Sequence, residues 1–125
     1  MFKNNKYTNV YYRIVNRGKA RNWTKKNAGV YTEVHHIIPK SKYFGGSNTN
    51  DNLVRLTAKE HYICHLLLIK MCKTNQQHYA MVGALSRLMY GRNKEHHFIS
   101  ASKYEFLKDQ LSKRKISDEH REKLR

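Results

Sequence analysis

The spacing of apolar residues predicts helices towards both ends of the chain and two short strands between them. Apolar side chains recur at helical spacing over residues 7–17, which predicts an amphipathic helix that ends near Gly18. The β-branched and aromatic run at 30–38, stopped by Pro39, predicts a strand, and the short alternating run at 53–56 predicts a second. The segment between the two strands is rich in glycine and asparagine, so we expect a loop there.

Capping signals mark the helices that follow the second strand. The segment Thr57-Ala58-Lys59-Glu60 forms a capping box, in which each of the two end side chains accepts a hydrogen bond from the backbone of the other residue. The helix that it opens runs to Cys72 and is apolar nearly all round, so it should be central. We expect further helices at 76–90, before Gly91, and at 102–114, where Ser102 begins a second capping-box pattern, and a short charged helix or frayed tail at 117–125.

The order of these elements predicts the fold class. Strand, long loop, strand and capped helix form a β-β-α unit inside an otherwise helical chain, so we expect an α+β fold. The same order divides the chain into a basic N-terminal helix and loop, a ββα core, a pair of C-terminal helices and a charged tail, at residues 1–29, 30–73, 74–116 and 117–125.

The charge of the chain points to a polyanionic partner. Twenty-five Lys and Arg against nine Asp and Glu give a formal net charge of +16, whereas a small domain needs a net charge of only about 2–8 for solubility. The excess repels itself, and a polyanion would relieve that cost. Nucleic acid is therefore the first candidate, ahead of an anionic membrane surface or an acidic protein. Residues 1–32 carry eight basic side chains and no carboxylate, as expected of a segment that contacts phosphates.

Cysteine usage and hydropathy predict a soluble, intracellular protein. Cys64 and Cys72 lie on one predicted helix, about 12 Å apart at 1.5 Å per residue, so they are not placed to form a disulfide and we expect packed thiols in a reducing compartment. The N-terminus has no apolar segment typical of a signal peptide, and no run approaches the roughly 18 apolar residues of a membrane span.

Four histidines fall within the ββα unit. His61 and His65 are four apart on the helix, which puts both imidazoles on one face. Taken alone, such a pair more often joins one exposed and one structural histidine than a metal site. The preceding strand changes that balance, because His35 or His36 would approach the same face. Adjacent strand residues point to opposite sides, so we expect one ring to bind a metal and the other to face the substrate as a general base.

The spacing of these residues resembles the HNH endonuclease motif. The resemblance is carried by four segments in order: 33–41 (EVHHIIPKS), Gly45-Gly46, 51–57 (DNLVRLT) and 60–65 (EHYICH). It is closest to the mobile, homing-type HNH endonucleases of bacteriophages, and the tyrosine-rich first helix and the segment 102–107 extend it over most of the chain. The resemblance implies a ββα-metal core that hydrolyses DNA phosphodiester bonds, by nicking or by double-strand cleavage.

The resemblance also implies a metal site. His35 matches the first metal ligand of the family, which is often Asp, and His61 matches the ligand on the helix. His65 matches an additional ligand of the histidine-rich branch. One divalent ion is expected; Mg²⁺ or Mn²⁺ supports the family's chemistry, and a shell of imidazoles also suits Zn²⁺, Ni²⁺ or Co²⁺.

Three further roles follow from the same resemblance. His36 matches the general base that activates water. Asn52 matches the central asparagine, which ties the loop to the sheet and helps to orient the base. Glu33 matches an acidic position that lies behind the ligands in some members.

The basic residues near this motif are candidates for contacts with DNA. Among the aromatic side chains, Trp23 is the best placed to stack on a base, whereas the helical spacing of Tyr7, Tyr11 and Tyr12 favours a core position. We read His96 and His97 as loop residues and His78 and His120 as surface residues. The predicted DNA-contacting residues are Lys19, Arg21, Trp23, Lys25, Lys26, Lys40 and Arg55.

These patterns leave three interpretations open. The leading one is a DNA endonuclease that acts on double-stranded DNA as a monomer or weak dimer, in the cytoplasm of a phage-infected bacterium, with neither a membrane nor a small-molecule cofactor. The first alternative is a basic DNA-binding module with a structural metal and no cleavage activity. A purely structural site would not need His36 in addition to three ligands, which favours the enzyme. The third is an RNA-binding or RNA-cleaving protein, because charge alone does not separate DNA from RNA.

Overall fold

The computed structural model describes residues 1–90 and 99–123, with side chains described as far as residue 113. Within these ranges the chain forms a two-stranded sheet surrounded by helices. The elements are α1 (Lys6–Arg21), β1 (Thr32–His36), a 3₁₀ turn (Asn50–Asn52), β2 (Leu53–Thr57), α2 (Ala58–Met71), α3 (Asn75–Tyr90) and α4 (Ala101–Lys123).

The predicted β-β-α unit is confirmed. β1 and β2 pair antiparallel, with His35 opposite Val54 and His36 opposite Leu53. Thr57 ends β2 and is also the N-cap of α2, where both hydrogen bonds of the predicted capping box with Glu60 are present. The strand therefore passes into the helix without a linker, and the α+β class is confirmed.

Helix α2 lies at the centre of the fold, as its apolar sequence predicted. It contacts α1, α3, α4 and both strands. Cys64 and Leu68 are fully buried in the main core, together with side chains of α1 and β2. Cys64 and Cys72 are both buried free thiols, which confirms their assignment as packed residues. Of the helices in the described residues, none is long and apolar enough to cross a membrane.

Helix α1 continues past Gly18, where it was predicted to end. It reaches Arg21 and ends at Asn22, whose φ of 51° is left-handed. A Cβ on Gly18 would lie 2.8 Å from side-chain atoms of both Val54 and Leu56. The glycine therefore allows close packing of α1 on β2 and does not act as a stop signal.

The boundaries of helix α4 also differ from the prediction. Ser100, and not Ser102, accepts the capping hydrogen bond, from Lys103 N to Ser100 Oγ at 3.1 Å. One continuous helix then runs from Ala101 to Lys123, so the predicted end near Arg114 was wrong. The interpretations of Gly91, His96 and His97 and of the His120 side chain concern positions outside the described residues.

A tight turn joins β1 to the loop that precedes β2. Gly46 N donates to Pro39 O at 2.9 Å, and Phe44 N and Gly45 N both donate to Ser41 O at 2.9 Å. A Cβ on Gly46 would lie 1.8 Å from Ile38 O, which is a backbone atom. The turn therefore has room for glycine alone at this position.

We expect Gly46→Ala to lower the free energy of unfolding by about 3 kcal/mol, because the backbone of the turn must move to relieve the overlap. The matched control is Gly29→Ala, which adds a Cβ with nothing within 4 Å at a φ of +74°. That change should cost only about 1–2 kcal/mol, from the left-handed conformation. Urea unfolding measures both variants, and equal losses would contradict the steric argument.

Candidate active site

Three histidines from β1 and α2 form one cluster, in which His35 and His61 are buried and His65 is half-buried. One ring nitrogen from each of His35, His61 and His65 lies within 4.8 Å of the others. The ring centroids are 5.1 Å apart for His35 and His61, 5.3 Å for His35 and His65, and 4.9 Å for His61 and His65. The i, i+4 spacing on α2 and the packing of β1 against this helix thus bring together the three side chains that the sequence proposed as ligands.

The hydrogen bonds of His35 determine which of its nitrogens is free. Tyr11 Oη donates to Ile37 O at 2.6 Å and lies 2.7 Å from His35 Nε2. Since a hydroxyl has one proton, the second bond must be donated by Nε2–H of His35. His35 Nδ1 is then the unprotonated nitrogen, and it is buried without a hydrogen-bond partner.

His61 is held in the opposite tautomer. Its Nδ1 donates to Glu33 Oε1 at 2.9 Å, which leaves Nε2 with the lone pair. Tyr31 and Tyr104 also donate to the Glu33 carboxylate, at 2.6 and 2.8 Å. Burial raises the pKa of Glu33, but the hydrogen bonds from His61, Tyr31 and Tyr104 outweigh it and lower the pKa to about 2. A carboxylate that accepts a hydrogen bond from a histidine in this way orients the ring and makes its other nitrogen a stronger ligand for a metal.

Burial keeps the other two imidazoles neutral. Burial, and then the neighbouring His61, lowers the pKa of His65 to about 3, and the same causes hold the pKa of His35 well below its ordinary value. His65 Nδ1 is also buried without a hydrogen-bond partner. Neutral imidazoles with unpartnered nitrogens are the form that coordinates divalent metals, so this donor set fits one metal ion.

His36 occupies a different environment from its neighbour His35. It is the last residue of β1, is half-buried, and has its Nε2 2.8 Å from Asn48 Oδ1. It lines the same cleft of about 480 Å³ as the three clustered histidines, and Lys40 and Arg87 line it too. The strand therefore puts one imidazole in the core and the next on the wall of the cleft.

Asn52 holds the loop beside His36 in place through hydrogen bonds of its side chain. Its Oδ1 accepts from Ile38 N at 2.8 Å, and its Nδ2 donates to Ile38 O at 3.0 Å and to Ser47 O at 2.8 Å. The side chain is buried, and Asn52 O accepts a further bond from Ile37 N at 2.9 Å. These contacts hold the chain just after β1 against the start of β2.

The predicted DNA-contacting residues fall into two groups. Lys25, Lys26 and Lys40 are exposed, and Lys19, also exposed, donates to Asp51 O at 3.3 Å. The other three are half-buried and make internal contacts. Arg21 binds Glu60 through two hydrogen bonds of 2.8 and 3.1 Å and lies 3.7 Å from the centre of the Trp23 ring, and Arg55 donates to Thr32 at 3.0 Å. Contact of any of these residues with DNA stays a prediction.

Several partners of the site were not identified from the sequence. Tyr11 was read as a core residue, and it is fully buried, but its hydrogen bond to His35 was not foreseen. The hydrogen bond between Tyr104 and Glu33, which spans 71 positions of sequence, and the one between Asn48 and His36 were not foreseen either. No local spacing signals such contacts, because they depend on how distant helices and loops pack. His78 is exposed, as predicted.

Comparisons with known proteins agree with this geometry. Residues 22–66, which include the three clustered histidines and His36 and Asn52, match the family model described as HNH endonuclease. Probable mobile endonuclease D of Enterobacteria phage T4 is 49% identical over 65 residues, which are 52% of this chain and 24% of that protein.

Two more proteins of the same phage match over longer stretches. Probable mobile endonuclease B is 35% identical over 125 residues, covering 92% of this chain and 47% of that protein. Probable mobile endonuclease E is 34% identical over 98 residues, covering 78% of this chain and 64% of that protein. The chain thus spans less than two thirds of the length of each of these relatives. No solved structure matches the chain.

We expect acid to destabilise the metal-free protein. The pKa values of His35 and His65 are lower in the folded chain than the ordinary value of 6.5. As the pH falls, the unfolded chain therefore takes up protons before the folded chain does. The contribution of these neutral rings to the free energy of unfolding is fully present above about pH 6.5, and it is lost as the pH falls towards their pKa values in the folded chain, about 3 for His65. Protonation of Glu33 lowers the free energy of unfolding further between pH 4.5 and about pH 2.

Urea unfolding midpoints with chelator, between about pH 8 and about pH 5, test this linkage. His65→Gln, which cannot titrate, should show a shallower decline than the parent chain. His78→Gln removes an exposed histidine and should leave the decline unchanged. Three indistinguishable slopes would show that the buried ring does not control acid stability.

Proposed function

We propose, since residues 22–66 belong to the HNH endonuclease family, that this chain is a metal-dependent endonuclease that hydrolyses phosphodiester bonds in double-stranded DNA. His35, His61 and His65 would hold one divalent metal ion, His36 would act as general base and Asn52 would position it. The net charge of +16 supports a polyanionic substrate.

One observation carries the proposal: two buried histidines and one half-buried histidine meet at one point, and a fourth lines the same cleft. A structural zinc site has four protein ligands, whereas a catalytic site has three and keeps a position open. In the described part of the chain, the cluster offers only three ligand side chains. The alternative, a DNA-binding module with a structural metal, therefore fits the site less well.

The hydrogen bond of His36 indicates which nitrogen would act as the base. Asn48 Oδ1 can only accept, so Nε2 carries the proton and Nδ1 holds the lone pair. Nδ1 would take a proton from a water molecule as its oxygen attacks phosphorus, and the bond to the 3′-oxygen breaks. The leaving oxygen then takes up a proton from solvent, which gives a 3′-hydroxyl and a 5′-phosphate.

The loop contacts keep this base in place. Asn52 binds Ile38, two residues after His36, through both its amide oxygen and its amide nitrogen. The same amide nitrogen binds Ser47 O, next to Asn48. Asn52 therefore supports both the strand that carries His36 and the loop that carries its hydrogen-bond partner.

A divalent cation at the three imidazoles supplies a Lewis acid that stabilises the negative charge on the leaving oxygen. Imidazole donors suit Zn²⁺, Ni²⁺ or Co²⁺, and we propose that Mg²⁺ or Mn²⁺ also supports the reaction. The donor set contains no carboxylate, because His35 stands where the family often has Asp.

The setting follows from the relatives. They are named as mobile endonucleases of a phage, so we propose that this chain acts on DNA in the cytoplasm of an infected bacterium. No small-molecule cofactor is needed for the hydrolysis. As a monomer or weak dimer with one site per chain, the protein would favour nicking over double-strand cleavage.

Supercoiled plasmid provides the test. With Mg²⁺, Mn²⁺, Ni²⁺ or Zn²⁺, the protein should convert it to the nicked form, and chelator should stop the reaction. His36→Ala should slow nicking by about 10²–10⁴-fold, the range typical of a lost general base. His78→Ala is the matched control, because it removes an exposed histidine outside the cleft and should leave the rate unchanged.

The same assay distinguishes the alternatives. Plasmid that is bound but stays uncut with every ion would favour the binding module. Cleavage of RNA in preference to duplex DNA would favour a ribonuclease. Nicking that survives in His36→Ala at the parent rate would contradict the assignment of the base.

A further inference from the structure

We propose that Tyr31 and Tyr104 are positioning residues for the metal ligand His61, and that they act by fixing the Glu33 carboxylate behind it. This inference rests on the proposed function, because it requires His61 to bind a divalent metal. Neither tyrosine lines the cleft that contains the histidines.

Both oxygens of the Glu33 carboxylate are held. Oε1 accepts from Tyr104 Oη at 2.8 Å and from His61 Nδ1 at 2.9 Å. Oε2 accepts from Tyr31 Oη at 2.6 Å, and Lys108 Nζ lies 3.8 Å from it. An ionised carboxylate has no proton to give, so both hydroxyls must act as donors. The two tyrosines thus fix the carboxylate in one orientation, from two sides.

That orientation has a consequence for the histidine. Glu33 Oε1 accepts a hydrogen bond from His61 Nδ1–H, and this contact favours the tautomer with the proton on Nδ1. In that tautomer Nε2 has the lone pair that can bind a metal. A carboxylate free to rotate would hold the ring less firmly and stabilise this tautomer less. The hydroxyls of Tyr31 and Tyr104 therefore act on the ligand through Glu33.

Tyr104 links this arrangement to helix α4, none of whose described side chains belongs to the histidine cluster. Its side chain is 1% exposed, and its ring lies against Tyr62 of α2 with centroids 5.1 Å apart. A purely structural role would be to pack α4 on α2. The hydrogen bond from the Tyr104 hydroxyl to Glu33 separates the two roles. Replacing Tyr104 with Phe keeps the packing and removes only this hydrogen bond.

Titration with Co²⁺, followed by its visible absorption, tests the proposal without relying on cleavage. Tyr104→Phe and Tyr31→Phe should each weaken Co²⁺ binding by about tenfold, and Glu33→Gln by at least as much, since losing a partner behind a ligand typically costs 10–100-fold. The matched control is Tyr62→Phe. It removes a buried hydroxyl that binds Ile99 O ahead of α4 and does not contact Glu33, so Co²⁺ affinity should stay within about twofold.

A double-mutant cycle tests whether the tyrosine acts through the carboxylate. In the Glu33→Gln background, Tyr104→Phe should weaken Co²⁺ binding by less than about twofold further. Circular dichroism checks that each variant is folded, and Tyr31→Phe, which lies outside the helices, tests the proposal even where Tyr104→Phe fails to fold.

Two outcomes would overturn this inference and leave the proposed metal site unaffected. One is Co²⁺ affinity in both tyrosine variants within about twofold of the parent chain. The other is an effect of Tyr104→Phe that is equally large with Glu33 and with Gln at that position. A parent chain that does not bind Co²⁺ at all would instead remove the proposed metal site, and this inference with it.

Discussion

The arrangement of the site depends on the junction at which β2 becomes α2. Thr57 belongs to both elements, and its reciprocal hydrogen bonds with Glu60 fix the angle at which the helix leaves the strand. Arg21 of α1 holds the same carboxylate through two hydrogen bonds, so the first helix braces the junction. Because β1 is paired to β2 over five positions, the junction also determines where β1 lies relative to α2. Backbone geometry therefore brings His35 next to the two histidines of the helix.

The alternation of side chains along β1 separates two kinds of imidazole. His35 points into the core, where burial and its neighbours keep the ring neutral, and His36 points to the wall of the cleft. Metal coordination needs a fixed lone pair, whereas a general base must exchange protons with water. The proposed metal ligand and the proposed general base therefore occupy two adjacent positions at the end of one short strand.

The sequence predicted the parts of the site that depend on local order. The i, i+4 histidines, the capping box and the paired strands follow from spacing, and the structure has all of them. The hydroxyl partners do not follow, because Tyr104 reaches Glu33 only after α4 has packed on α2, across 71 positions. Gly18 was misread for a related reason: a glycine in a helix signals a stop or a close approach, and only the position of β2 decides between them.

In both His35 and His61, the fold hydrogen-bonds one ring nitrogen and leaves the other with a lone pair, as the proposed metal site requires. For His35 the bonded nitrogen is Nε2, through Tyr11; for His61 it is Nδ1, through Glu33 and Tyr104. A buried nitrogen without a partner costs about 1–3 kcal/mol, which packing of the surrounding helices must offset. The segment that matches the family, residues 22–66, includes neither tyrosine. Helices α1 and α4 therefore do more than stabilise the ββα unit, because hydroxyl groups of these helices contact His35 directly and His61 through Glu33.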